Sequence, residues 1–377
     1  GFVNLSLWSD DRCVQTFHLT PAEAGRLVGF LAGVLLWVVG TFAVAAVSTI
    51  FADSFVALFP GLPESAARPA VLVLTFVLLG AVNIAGVRQG TRLNIVSTFA
   101  KLLPLLLLLV VGAFAVKPEN LAWTDTPAAG DLARTAILLI FAFAGIESAL
   151  VPSGEVKQVE RTVPRAIAMA MLAITVLYIA LHVVAQGILG PSLGAQQAPL
   201  AEAAAVAMGP WGRRIILIGA VVSMFGYVGG MTLATPRALF ALGRDGFLPR
   251  ALASVHPRYH TPHVAIVVQA VIVLVLALSS GFEKLAILAN IATLLLYGAC
   301  CLAAFELRRR DVRAGGVPFR LPAFAAYAPF LALAVIGWML LSATLREWAV
   351  VAALLAAAAV FYVLTRGSRM RAMGDRA

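Results

Sequence analysis

Long apolar runs separated by short clusters of charge dominate the chain. Stretches free of Asp, Glu, Lys and Arg cover Leu27–Ala52, Pro69–Val87, Ala166–Ala201, Ile215–Pro236, His263–Phe282, Leu285–Phe305, Leu321–Leu345 and Trp348–Thr365. Each reaches the roughly 18 residues that an α-helix needs to cross about 30 Å of hydrocarbon. Two further runs are each broken by one charge: about Leu93–Val116 contains Lys101, and about Arg134–Pro152 contains Glu147. None of the runs shows the polar/apolar alternation of a transmembrane barrel. The pattern therefore predicts an all-α polytopic membrane protein with ten spans.

Composition agrees and closes off other classes. Of 377 residues, 61% are hydrophobic and only 12% charged, with a mean hydropathy of +0.95. A soluble domain carries roughly twice that share of charge, and disorder requires low hydrophobicity. Three cysteines are too few for a disulfide scaffold, and Cys300 and Cys301 are neighbours inside an apolar run.

Charge then orients the spans. Ten spans place both ends of the chain on one side of the membrane. Twenty of the 28 basic residues fall on that side and seven on the other, the remaining one being Lys101 inside a span. The excess of basic residues in cytoplasmic loops puts both termini in the cytoplasm of a cell whose inner membrane holds the protein. The net charge of +10 is then carried by short cytoplasmic loops, so no nucleic-acid partner is called for. The first apolar run is too long for a signal peptide and lacks a cleavage pattern. Residues 1–25 are polar and aperiodic and begin with Gly1 rather than Met. The chain thus reads as a piece of something longer.

Several features inside the spans invite interpretation. Gly25, Gly29 and Gly33 recur every four residues, a spacing that lets helices approach closely. Pro104 is expected to disturb its helix. Glu147 sits in FAFAGIESALVPSGE, between the helix-weakening Gly145 and Pro152. A carboxylate at mid-membrane costs a few kcal/mol on insertion scales. Such a group faces a cavity or is protonated and satisfied by a neighbouring helix, and both readings stay open here. Lys101 lies eight residues, about 12 Å, into its span. Desolvation there would lower its pKa and allow proton carriage; a tie to helix-end carbonyls is the alternative.

Two polar stripes, Tyr178/His182/Gln186 and Asn290/Thr293/Tyr297, follow helical spacing; inter-helix hydrogen bonds account for them without function, and a functional role stays open. Gly226, Gly229 and Gly230 thin the span around Tyr227 and Met231. His256, His260 and His263 are spaced as metal ligands can be, but they fall in a Pro-interrupted loop without supporting ligands. No metal and no cofactor is expected, and no nucleophile–base set marks an enzyme.

Four longer segments carry a resemblance. FAFAGIESALVPSGEVKQVERTVPRAI, ATPRALFALGRDGFLPRALASVHPRYHTPHVAI, IATLLLYGACCLAAFELRRR followed by VPFRLP, and NIAGVRQGTRLNIVSTFAKLLPLL are spread over most of residues 25–320, in the family's order along the chain. Together they resemble a bacterial amino acid permease of the amino acid–polyamine–organocation (APC) superfamily. The resemblance implies a LeuT-like inverted-repeat transporter fold of twelve helices, of which ten are present and the first two are not. Residues 1–25 would be a cytoplasmic segment, 26–132 the remainder of the first repeat, 133–306 the second repeat, and 307–377 the last two helices and a cytoplasmic tail. Val159 departs from the family, which usually has Pro there.

The same resemblance implies a site. The unwound stretch Phe141, Ala142, Phe143, Ala144, Gly145 would receive a substrate ammonium on its carbonyls, with Phe141 closing over the substrate. Glu147 matches an acidic position linked to proton sensing, and Lys101 a fifth-helix lysine that stands in for a sodium ion in proton-coupled members. Met231 matches a pocket-lining position of the family's eighth helix, and Thr41, on the third helix, is a looser match. The expectation is secondary transport of an amino acid or amine, by proton symport or exchange, with alternating access. Its partners would be that small-molecule substrate, protons and the lipid bilayer; the sequence carries no signal for an oligomeric state. The competing expectation is a truncated, transport-incompetent membrane protein with a structural or interaction role.

Overall fold

The computed structural model describes residues 23–59, 61–86, 91–122, 126–146, 159–309 and 327–365. No strand occurs among them. Eleven α-helices follow in order: α1 (Glu23–Ala57), α2 (Glu64–Ile84), α3 (Thr91–Gly112), α4 (Ala129–Ile140), α5 (Val159–Leu189), α6 (Pro199–Ala234), α7 (Pro236–Arg244), α8 (His263–Ser279), α9 (Phe282–Arg309), α10 (Ala328–Leu340) and α11 (Leu345–Leu364).

Among the described residues, seven helical stretches of 18 residues or more are apolar enough to cross a bilayer, and α8 and α10 are shorter apolar helices. Each of the ten expected runs overlaps a helix among the described residues, but the expected span Arg134–Pro152 is helical only as far as Ile140, in a helix of 12 residues. The expected run Ala166–Ala201 is divided: α5 stops at Leu189, a 3-10 turn covers Gly190–Ala195, and α6 begins at Pro199. At 36 residues α6 would measure about 54 Å, too long for one straight crossing. It breaks at Gly209, whose φ of 72° only glycine adopts freely, followed by Pro210. Short amphipathic α7 occupies the loop that follows.

α1 is the central element. It packs on α9, α6, α8, α2 and α11, and its Val44, Ala45, Ala46 and Ala52 are fully buried in the main core with Leu285, Ile287 and Ile291 of α9. A second core joins α3, α5 and the first half of α6 around Leu108, Leu181, Val184 and Leu217. Residues of α6 enter both cores, so this helix ties them together.

Gly33, from the expected glycine series, is not a point of close approach between helices. At Gly33 a methyl group would sit 3.8 Å from Leu242, ordinary contact, whereas at Gly219 of α6 it would lie 2.5 Å from the Ala100 carbonyl of α3. The absence of a side chain at Gly219 is what allows α3 and α6 to pack as they do. The stacked rings of Phe30 and Phe247, 5.1 Å apart, and Tyr362 at 5.4 Å from Phe30 fasten α1, the loop after α7 and α11 together.

Candidate functional site

The end of α4 is where the backbone departs from regular helix. Beyond Ile140 the amides of Phe141, Ala142 and Phe143 bond to Leu138, Leu139 and Ile140, three residues back, at 3.0–3.1 Å. Gly145 then takes φ +100°, a conformation that side chains resist. Phe141–Gly145 is therefore an unwound turn, as the Gly145 signal suggested.

Tightening to three-residue spacing changes which carbonyls need partners. The Ile137 carbonyl is taken by the side-chain amide of Asn290 on α9 at 2.7 Å, which also reaches Leu138 at 3.5 Å. Asn290 is fully buried. The Ala142 carbonyl accepts from the Tyr178 hydroxyl on α5 at 3.1 Å. Two edge-to-face ring pairs hold the same turn: Phe141 on Phe282 at 5.5 Å and Phe143 on Tyr178 at 5.6 Å. Aromatic pairs prefer this geometry because a positive ring edge meets a negative ring face.

A second polar cluster lies inside the frame made by α1, α2, α6 and α8. Trp37 donates to Gln269 Oε1 at 2.7 Å, Gln269 Nε2 donates to Thr41 Oγ1 at 3.1 Å, and Thr41 donates to the Trp37 carbonyl at 2.8 Å. Asn83 of α2 donates to Thr232 of α6 at 3.3 Å. A small cavity with room for about one water molecule separates these groups, lined by Asn83, Met231, Thr232 and Gln269 among apolar neighbours. Met231 also faces Gly40 of α1, where an added methyl would lie 3.7 Å from its terminal carbon.

The expected site residues thus separate into groups. Phe141–Gly145 form one turn at the end of α4. Met231 and Thr41 belong to the α1–α6–α8 frame, Thr41 bonded to Gln269 and Met231 lining the same small cavity as Gln269. The Thr41 hydroxyl is buried and engaged as donor and acceptor. Lys101 is exposed on α3, off the seam where Ala100 and Pro104 meet Gly219. Glu147 lies outside the described residues.

Of the polar stripes, Tyr178 reaches the unwound turn, Gln186 bonds the Asn120 carbonyl at 3.2 Å, and His182 is exposed. Thr293 bonds back to Ala289 within its own helix. His256 Nδ1 accepts from the amides of Arg258 and Tyr259, which makes it a loop-bracing residue. Among the described residues no group of three or more His, Cys, Asp or Glu is assembled. Gln269, Asn83 and Trp37 were not singled out from the sequence. The available signal was a lone amide in an otherwise apolar span, since such a group needs a partner in hydrocarbon.

Several long apolar helices packed around one another, with α4 ending in a non-helical turn, are what a polytopic membrane protein shows. A family described as amino acid permease matches residues 16–367, and the chain belongs to this family. A branched-chain amino acid permease of Bacillus subtilis (strain 168) is 28% identical over 86% of this chain and 75% of its own length. A serine/threonine exchanger of the same organism is 28% identical over 82% and 71%. An uncharacterised transporter of Mycobacterium tuberculosis (strain ATCC 25618 / H37Rv) is 31% identical over 81% and 69%. The protein is a multi-pass membrane transporter of the amino acid permease class and not an enzyme.

Proposed function

We propose that this chain carries a neutral amino acid across the cytoplasmic membrane by secondary active transport, through proton symport or exchange with alternating access, both termini lying in the cytoplasm. The observation that carries the reading is the unwound turn Phe141–Gly145 at the end of α4. Backbone carbonyls released at a helix break are suited to a substrate ammonium, because their partial negative charge acts without a fixed ion. The Phe141, Phe143 and Met231 side chains suit an uncharged substrate side chain. Two relatives whose names specify branched-chain amino acids and serine/threonine agree with a neutral substrate.

In this reading Phe141 closes over the substrate and Ala142–Gly145 supply carbonyls. Lys101 and Glu147 handle the coupled proton, and Thr41 steadies the frame. Rocking of the bundle that holds α4 against the α1–α2–α6–α8 frame opens the two sides in turn.

The test is uptake into proteoliposomes across a panel of amino acids, with and without an imposed pH gradient. Neutral amino acids should be accumulated when the interior is alkaline, and Phe141→Ala should raise KM about tenfold, equivalent to about 1.4 kcal/mol of lost binding. In Lys101→Ala, uptake should no longer respond to the gradient although substrate still binds. A wild-type response retained in that variant removes Lys101 from coupling. Failure of every amino acid on the panel overturns the substrate class.

A further inference from the structure

The middle of α4, one turn before Ile137, carries a second attachment. Arg134 forms a two-pronged ion pair with Glu347 of α11: Nη1 to Oε2 and Nη2 to Oε1, both at 2.8 Å. The guanidinium fork matches a carboxylate in this geometry, which adds direction to the charge attraction. Glu347 Oε2 also accepts from the Thr344 amide at 2.8 Å, while Thr344 Oγ1 accepts from the Glu347 amide at 3.4 Å. One carboxylate therefore closes the N-terminal capping box of α11 and anchors α4.

The surroundings decide what this anchor can do. α11 packs on α1 and α9 and belongs to the main core. α4 is a short helix of 12 residues, about 18 Å long. It is fastened near its C-terminal end by Asn290, at Ile137, and at mid-helix by Arg134. The Asn290 attachment is buried and apolar in its surroundings. The Arg134 side chain is 34% exposed and Glu347 12%, and both residues stand where an apolar run begins, at Arg134 and Trp348, so this attachment is more accessible than the one at Asn290. A second, exposed carboxylate, Glu283 at the start of α9, lies close enough to act on Arg134 electrostatically.

We infer that Arg134 and Glu347 are positioning residues for transport: their ion pair is a releasable latch that holds α4, and with it the unwound turn, against α11 in the present state and lets go when the site opens. The inference rests on the transport reading above. It adds a residue pair that touches no substrate and sets the rate at which α4 is freed.

Two measurements test it. Hydrogen exchange in detergent is the first and needs no transport. Arg134→Gln should speed exchange of the amides of residues 129–146 by at least threefold while those of α1 and α9 keep wild-type rates. Uniform acceleration across all helices would mean a general structural role and overturn the latch, as would no change in 129–146. In the second, cysteines replace Arg134 and Glu347, and the pair is cross-linked in the folded protein. Cross-linking should abolish turnover in proteoliposomes, with substrate binding retained and reductant restoring transport. Continued turnover of the cross-linked protein overturns the inference. The charge-reversed pair Arg134→Glu with Glu347→Arg should recover exchange rates lost by either single reversal. If wild-type protein moves no amino acid yet the exchange pattern holds, the transport reading fails and the latch stands.

Discussion

Asn290 on α9 donates its side-chain amide to the Ile137 carbonyl at the end of α4, 2.7 Å away. A residue in the middle of one apolar helix thereby completes the backbone of another at the point where the second unwinds. The bond lies in the core, so its loss cannot be made good by solvent.

Replacing Asn290 by Ala should leave the Ile137 carbonyl buried and unpaired and cost on the order of 1–3 kcal/mol. Thermal unfolding of the purified protein should shift downward, and exchange should speed first in the amides of 137–146. Asn290→Asp should be worse than Asn290→Ala if the introduced carboxylate stays ionised, because it then faces a carbonyl oxygen. A lower loss for Asp would show that the carboxyl is protonated and donates in place of the amide.

Tyr178→Phe removes the hydroxyl that occupies the Ala142 carbonyl and keeps the ring against Phe143. If that carbonyl receives the substrate ammonium, the hydroxyl competes with it. Loss of a bond worth about 1 kcal/mol net should lower the apparent substrate Kd by about fivefold, read by equilibrium binding. Tyr178→Ala should in addition lose the ring contact and unfold at lower temperature.

Gln269→Leu should strand the Trp37 indole N–H, which is held at 2.7 Å, and leave Thr41 without its donor. The expected destabilisation is about 2 kcal/mol or more. Combining it with Trp37→Phe should restore part of the loss, since both partners are then apolar. Strict additivity in thermal unfolding would contradict the coupling.

Gly219 and Gly230 make a contrast on one helix. A methyl at Gly219 would overlap the Ala100 carbonyl, whereas nothing lies within 4 Å of one at Gly230. Gly219→Ala should cost roughly 1–3 kcal/mol by pushing α3 from α6. Gly230→Ala should be neutral or stabilise by up to about 1 kcal/mol, because alanine favours helix. Melting temperatures of the two variants, measured side by side, decide it.

How much of this was readable in advance differs from feature to feature. Among the described residues, seven of the helices are long and apolar enough to cross a bilayer, because hydrocarbon length and backbone satisfaction leave a chain of this composition few alternatives. Gly145 by itself indicated only a weakened helix around Glu147; that the weak stretch covers Phe141–Gly145 was implied by the family resemblance, and the backbone there is a turn ending in a left-handed glycine. The same local reasoning missed the break at Gly209, whose strain shows only in the folded backbone. The spacing that includes Gly33 advertised close packing, yet Gly33 has only ordinary contact while Gly219 lies against the α3 backbone, because contact depends on which face a neighbour presents.

Sequence alone thus determined what each segment is: an apolar helix former, and the solvent it suits. These are properties of consecutive residues and need no knowledge of neighbours. Only the tertiary structure decided which distant groups meet. Asn290 is 153 positions from Ile137, and Arg134 is 213 from Glu347. Hydrogen bonds and ion pairs act over about 3 Å in space, whatever the separation along the chain. The partners of the unwound turn and the latch on α4 therefore became identifiable only once the helices were packed.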